Sequence, residues 1–343
     1  MRILVVRLGS LGDIIHTLPA VAAIRRALPE ARIDWLVDAP HQEIVARVPA
    51  IDARVVLEER NITAWLHAAA TLRRRGYDAA IDFQGLFKSA ILARASGARR
   101  VIGFSIWHLR ERGARAFYTE TSEPTEPPNP RTLERHVIRK NLELAKRLVP
   151  SIDLDAPFEF PLHVSANADV DDLKRALDGE PFAVLNPGAA WPNKRWPPER
   201  FGHVAAFLRA RHGLRSVVTW GPGEEPLADV AVTMSEGAAV MAPMLPLGAL
   251  MSLLRDARLM VSGDTGPTHL AAALGIPIVA PYGPTSAARN GPWHPDDVVI
   301  SRYDECECHY QRKCRVPDRW CLGGLPASEL MAAITARLEA AAR

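Results

Sequence analysis

The chain has 343 residues, 48% hydrophobic and 24% charged, with a formal net charge of +3. That length exceeds the usual single-core size, so two domains are expected. The small charge and the lack of any RNA- or DNA-binding motif argue against nucleic acid as a partner. No apolar run approaches the roughly 20 residues that span a bilayer.

Strands and helices alternate from the start, the pattern of a parallel α/β sheet. Residues 2–6 read as a strand; Arg7 then interrupts the apolar run and no small-residue cleavage site follows, so a signal peptide is not expected and a cytoplasmic chain is. The apolar spacing of Ile14, Ile15, Leu18, Val21 and Ile24 predicts a helix over 13–27. A strand at 32–37, a helix at 41–48, a strand at 53–57 and a helix near 64–75 follow. The first half continues with a strand at 79–82, a helix at 86–95 and a strand at 100–103. The proline-rich, charged stretch 119–131 reads as an irregular loop or lid, and a helix at 133–148 closes this half. Residues 150–163 look like a linker.

A second series comprises a strand at 182–186, a helix at 198–211, a strand at 216–220, helices at 225–234 and 247–256, and a strand–turn–helix–strand segment from Leu259. An alanine-rich helix ends the chain. The predicted organisation is an N-terminal acceptor-binding domain, 1–160, a C-terminal donor-binding domain, 161–325, and a terminal helix, 326–343, that could pack back towards the first domain. Two tandem Rossmann-like domains would hold ligand in an interdomain cleft. Neither half carries an intact G-x-G-x-x-G, which weakens a dinucleotide-oxidoreductase reading.

Four glycine-containing loops at predicted strand ends carry the chemistry. In Ser262-Gly-Asp-Thr-Gly266, amides and the Thr265 and Thr268 hydroxyls converge at a helix N-terminus, where a diphosphate is favourably bound; a plain turn capped by Asp264 is the competing reading. His269, on that helix, is either a core histidine or a phosphate donor. In Leu8-Gly-Ser-Leu-Gly-Asp13, Gly9 and Gly12 let the backbone turn tightly. Asp13 is either a helix cap or a general base on an acceptor hydroxyl. In Gly188-Ala-Ala-Trp-Pro-Asn-Lys194, the lysine is either a surface residue or a cation that stabilises a leaving diphosphate. Glu224 and Glu225 could accept hydrogen bonds from a ribose. Basic clusters at Arg73–Arg75, Arg99–Arg100 and Arg110–Arg115 are solvated faces or, taken together, a surface for an anionic acceptor or membrane.

Residues 12–20 (Gly12-Asp-Ile-Ile-His-Thr-Leu-Pro-Ala20), residues 77–90, Lys194-Arg-Trp-Pro197 and Asp264-Thr-Gly-Pro-Thr-His269 together resemble glycosyltransferase family 9, the ADP-heptose:lipopolysaccharide heptosyltransferases. The first two segments are nearer the type I than the type II members. The resemblance implies a GT-B fold and an inverting, metal-independent transfer that needs no cofactor. It makes Asp13 the general base on a Kdo hydroxyl of the lipid A inner core, with Lys194 as its catalytic counterpart on the donor side. Gly188, Ala189, Ala190, Glu224, Glu225, Asp264, Thr265, Gly266 and His269 would hold ADP-heptose. Gly9, Ser10, Gly12, Gln84, Lys88 and His136 would lie near the acceptor. Action at the cytoplasmic face of the inner membrane, in peripheral contact with it, is expected. Competing readings are a type II-like transferase with another donor or acceptor, a GT-B sugar-nucleotide epimerase, and a non-catalytic nucleotide-sugar sensor.

All four cysteines, Cys306, Cys308, Cys314 and Cys321, fall within sixteen residues. Four thiolates in a short loop could hold a structural zinc or iron ion, although a C-x-C opening is not a standard zinc-ribbon spacing. Reduced thiols fit a cytosolic protein better than disulfides do.

Overall fold

The computed structural model describes residues 1–59, 61–122, 135–316 and 320–342. The chain divides into two compact units, Met1–His163 and Val164–Arg343. The first contains β1 (Arg2–Val6), α1 (Leu11–Ile15), α2 (Leu18–Ala27), β2 (Arg32–Asp38), α3 (Gln42–Ala46), β3 (Ala53–Leu57) and α4 (Ile62–Arg75). It continues with β4 (Ala79–Asp82), α5 (Phe87–Ala95), β5 (Arg100–Gly103), β6 (Glu120–Thr121) and α6 (Val137–Leu148). The second contains α7 (Ala168–Ala176), β7 (Phe182–Asn186), α8 (Pro198–His212), β8 (Arg215–Val218), α9 (Glu225–Thr233), β9 (Ala239–Met241) and α10 (Leu247–Asp256). It ends with β10 (Leu259–Ser262), α11 (Gly266–Ala273), β11 (Ile278–Tyr282), α12 (Ala287–Asn290), β12 (Val298–Ser301) and α13 (Ala327–Ala341).

Each unit holds a six-stranded parallel sheet. The orders are β3-β2-β1-β4-β5-β6 and β12-β11-β10-β7-β8-β9, which are the same doubly wound topology in two copies. Strands β4, β7, β10 and β11 are buried along their whole length, as parallel strands covered by helices on both faces must be. The topology reverses between β1 and β4 in one unit and between β7 and β10 in the other. Ligands of open α/β sheets bind outside the strand ends at such a point.

Three expectations need correction. The helix predicted over 13–27 is two helices: Thr17 N–H turns to the Ile14 carbonyl at 2.9 Å, its Oγ1 takes up the Asp13 carbonyl at 2.8 Å, and Pro19 near the start of α2 has no N–H for the Ile15 carbonyl. The stretch predicted as irregular from 119 includes β6, whose Glu120 and Thr121 pair in parallel with Ile102 and Gly103. The remainder of that loop, 123–131, lies outside the described residues. The helix predicted from 133 begins at Val137, where His136 Nδ1 accepts from Ile138 N–H at 3.2 Å. Edge strands β9 and β12 escaped the sequence reading because each is short and only partly buried.

Helix α13 packs on α8, β11 and β12 of its own unit. Its Arg337, 5% exposed, donates to Asp297 Oδ1 at 3.0 Å, an oxygen that also accepts from Ile278 N–H at 2.9 Å. Burial pushes the Asp297 carboxyl upward against those two bonds. Arg337→Met therefore strips a buried carboxylate of its cation, a change that costs about 3–5 kcal/mol. Calorimetric unfolding should show that loss, and Asp297→Asn added to Arg337→Met should recover most of it.

Candidate active site

In the first unit the switch point is occupied by the loop after β1. Arg7 is almost buried, and its Nη2 lies 2.6 Å from Asp13 Oδ1 while Nη1 donates to the Phe83 carbonyl at the end of β4. The carbonyl of Arg7 accepts from Trp35 Nε1 at 2.9 Å, so both ends of the residue are fixed. Asp13 is not the cap of α1: Ser10 is, and Asp13, three residues on, accepts from Ser10 N–H and Ser10 Oγ at 3.2 Å each. Its side chain remains 41% exposed. The carboxylate is thus oriented by one guanidinium and one capping residue while keeping an open face, an arrangement able to accept a proton from a bound hydroxyl.

Gln84 Oε1 accepts from Leu8 N–H at 3.1 Å and Gly9 N–H at 3.4 Å, tying the β4 loop to the β1 loop. Gly9 has no room for a side chain, since a Cβ there would sit 2.5 Å from the His41 ring. Lys88 Nζ stands 3.9 Å from Asp38 Oδ2. Behind these loops, fully buried Asp82 accepts from Tyr118 OH, Ser89 Oγ and the Gln84 and Gly85 amides, while burial pushes its carboxyl upward. His136 stacks edge-on against buried His16 with ring centroids 5.6 Å apart. Two of the predicted basic clusters are partly committed elsewhere: Arg75 pairs with Asp34 at 2.7 Å and Arg100 with Glu120 at 2.7 Å, leaving Arg73, Arg74, Arg99, Arg110, Arg112 and Arg115 exposed.

In the second unit Asp264 is the hub. Its Oδ2 lies 2.5 Å from Lys194 Nζ and accepts from Thr285 Oγ1 at 2.7 Å; its Oδ1 accepts from Asn290 Nδ2 at 2.8 Å and meets His269 Nε2 at 3.2 Å. Burial alone would raise this carboxyl, but the His269 hydrogen bond and the Lys194 charge outweigh it and hold the group well below the usual range. Lys194 also lies over the Trp191 ring, 4.4 Å from its centroid. Gly263 permits the approach of the two loops, because a Cβ there would lie 3.0 Å from the Lys194 carbonyl.

Thr265 caps α11 in an extended conformation, and its Oγ1 joins Ser262 Oγ at 3.1 Å and Thr268 Oγ1 at 3.0 Å. The Gly266 and Thr268 amides that open that helix have no partner within it (Pro267 has no N–H), and Asp264, two residues before Gly266, holds the Lys194 ammonium: a setting that favours an anionic group. The two glutamates separate. Glu224 is held inward, accepting from Gly221 N–H at 3.1 Å and packed so tightly on Gly188 that a Cβ there would meet its carboxylate. Glu225, in the first turn of α9, is exposed. Ala189 is buried, its carbonyl accepting from Arg195 Nε at 2.8 Å, and Ala190 is exposed.

Sequence reasoning missed Arg7, Thr285, Asn290 and Arg195. Arg7 carried a signal, a charge directly after a strand's apolar run, and Thr285 ended the segment already singled out. The four cysteines are free thiols that come together around a cavity of about 180 Å³. Among the described residues no group of three or more His, Cys, Asp or Glu side chains is arranged to hold a metal ion, so the expected zinc or iron site gains no support. Also among them, no helix is long and apolar enough to cross a membrane.

Known proteins align with this arrangement. The family model for glycosyltransferase family 9 (heptosyltransferase) matches residues 65–319. Lipopolysaccharide heptosyltransferase 1 of Pseudomonas aeruginosa is 31% identical over 92% of this chain and 87% of its own length. The enzyme of that name from Escherichia coli K12 is 31% identical over 87% of this chain and 93% of its own. Among solved structures, E. coli heptosyltransferase WaaC with ADP-2-deoxy-2-fluoro heptose superposes with a TM-score of 0.73 at 26% identity, covering 98% of this chain and 99% of that one. A family 9 glycosyl transferase from Veillonella parvula gives 0.80 at 23% identity over 99% and 97%, a likeness of fold.

Proposed function

Since the chain belongs to glycosyltransferase family 9, with the GT-B fold of that family, we propose that it transfers heptose from ADP-heptose to a Kdo residue of the lipopolysaccharide inner core, with inversion at the anomeric carbon. The observation that carries this reading is that equivalent loops of the two sheets carry complementary groups. Asp13 and Lys194 follow β1 and β7, which flank the switch points of two sheets with the same strand order. One is an oriented, open carboxylate; the other is a cation beside a helix N-terminus.

In this scheme Asp13 takes the proton of the acceptor hydroxyl as its oxygen bonds the anomeric carbon, and the bond to the diphosphate breaks. Negative charge then develops on the leaving ADP. Lys194 and the amides at the start of α11 stabilise it there, which lowers the barrier more than it tightens ground-state binding. Asp264 does no proton transfer: it fixes Lys194 and His269, and Glu225 is assigned to the adenosine portion. No metal is assigned a step, because side-chain and amide donors meet the diphosphate charge. Gln84, Lys88, His136 and the surface arginines are assigned to the anionic acceptor, met at the cytoplasmic face of the inner membrane.

A donor panel tests the donor half. ADP-heptose should support transfer to Kdo-lipid A while UDP-sugars do not, and efficient use of a UDP-sugar with neglect of ADP-heptose would overturn it.

A further inference from the structure

Nothing in the proposed chemistry uses the cysteine-bearing segment, yet four hydrogen bonds join it to the donor loops. Asn193, 5% exposed and next to Lys194, donates through Nδ2 to the Gln311 carbonyl at 2.7 Å. The carbonyl of Asn193 accepts from Trp320 Nε1 at 3.1 Å. Tyr310 N–H donates to the Pro284 carbonyl at 2.9 Å, and Tyr310 OH accepts from Ser286 N–H at 3.3 Å. Those last two contacts flank Thr285, a ligand of Asp264.

The thiols shape that segment from within. Cys308 N–H donates to Cys306 Sγ at 3.3 Å, and Arg315 N–H to Cys308 Sγ at 2.9 Å. Cys308 and Cys314, with sulfurs 3.8 Å apart, bracket Tyr310 and Gln311, two of the residues that reach the donor loops. Cys321 packs beside Gly283, where a Cβ would come within 3.1 Å of its sulfur.

We propose that Asn193 is a positioning residue: through it, the cysteine-bearing segment sets the place of the Lys194 ammonium and so the strength with which the site holds a nucleoside diphosphate. Asn193 lies in a single short turn, Pro192–Lys194, whose own backbone bonds are local, Lys194 N–H to the Trp191 carbonyl at 3.0 Å and Arg195 N–H to the Pro192 carbonyl at 3.1 Å; the two bonds of Asn193 tie that turn to the cysteine-bearing segment. With its side chain and its carbonyl both tied to the segment, the next residue's side chain is directed at Asp264. The inference rests on the donor role given above to Lys194.

The test is a double-mutant cycle read as the ADP dissociation constant by calorimetry. Asn193→Asp keeps the shape but turns the donor towards a carbonyl into an acceptor, and should weaken ADP binding about tenfold. In a Lys194→Met background the same change should weaken it less than about twofold, because the group it positions is gone. Trp320→Phe, which keeps an aromatic ring but loses the N–H and the rest of the indole, should repeat the pattern at smaller size and serves if Asn193→Asp fails to fold. Equal weakening in both backgrounds, or none in the wild type, would overturn the proposal. Lys194→Met leaving ADP affinity intact would instead remove the donor role of Lys194, and this inference with it.

Discussion

Asp13→Asn should lower the transfer rate by at least about a hundredfold, the lower end of what a positioned general base contributes, while ADP affinity changes less than about twofold. The asymmetry follows from where Asp13 stands. It belongs to the β1 loop of the first unit, and its partners, Arg7 and Ser10, are in that loop too. None of the groups around Asp264 depends on it. Asparagine keeps an acceptor for Ser10 but cannot neutralise Arg7, which is nearly buried, so a modest loss of stability should accompany the loss of rate. Thermal unfolding separates the two effects: a variant that is fully folded at the assay temperature and inactive supports the base. Full activity in such a variant would remove Asp13 from that role.

The second large effect is expected at Asp264. Asp264→Ala leaves Lys194 and His269 without their shared partner in a buried setting, a loss worth about 3–5 kcal/mol. For a unit of this size that corresponds to a fall of about 6–20 °C in Tm. ADP binding should fall with it, since Lys194 loses the contact that holds it. The acid limb of stability gives an independent reading. The Asp264 carboxyl is held below its ordinary value in the folded protein, so its contribution is present above the unfolded value of about 3.9 and is lost as pH falls from there towards the folded value. Wild type should therefore lose stability more steeply than Asp264→Asn below about pH 4. Parallel acid limbs would show that the Lys194–Asp264–His269 cluster does not stabilise the fold in this way.

The strands were legible in the sequence wherever a buried parallel run, bounded by turns, had no competing pattern: β1, β3, β4, β5, β7 and β10 fall where the apolar runs lie. The break between α1 and α2 was obscured because Ile14, Ile15, Leu18 and Val21 keep helical spacing across it, although Pro19 was there to be read. At the site, the residues of each loop could be singled out, but their partnerships could not. Lys194 and Asp264 are seventy positions apart and meet because β7 pairs with β10, Asn186 opposite Ser262. That adjacency belongs to strand order, which local pattern does not encode. The same holds for Arg7, which reads as an interruption of an apolar run until β1 is laid beside β4 and Phe83 comes within reach. Asn193 offered no signal at all, because its partner Gln311 comes from a segment whose cysteines drew attention to metal binding.

The proposed transfer requires both a nucleotide-heptose donor and a Kdo-bearing acceptor. Its most direct test is ADP release from ADP-heptose, measured with and without Kdo-lipid A, alongside mass analysis of the lipid. ADP should be released in step with heptosylated lipid, with negligible release when the acceptor is omitted. A product formed from ADP-heptose without any acceptor, or no ADP released when both are present, would contradict it.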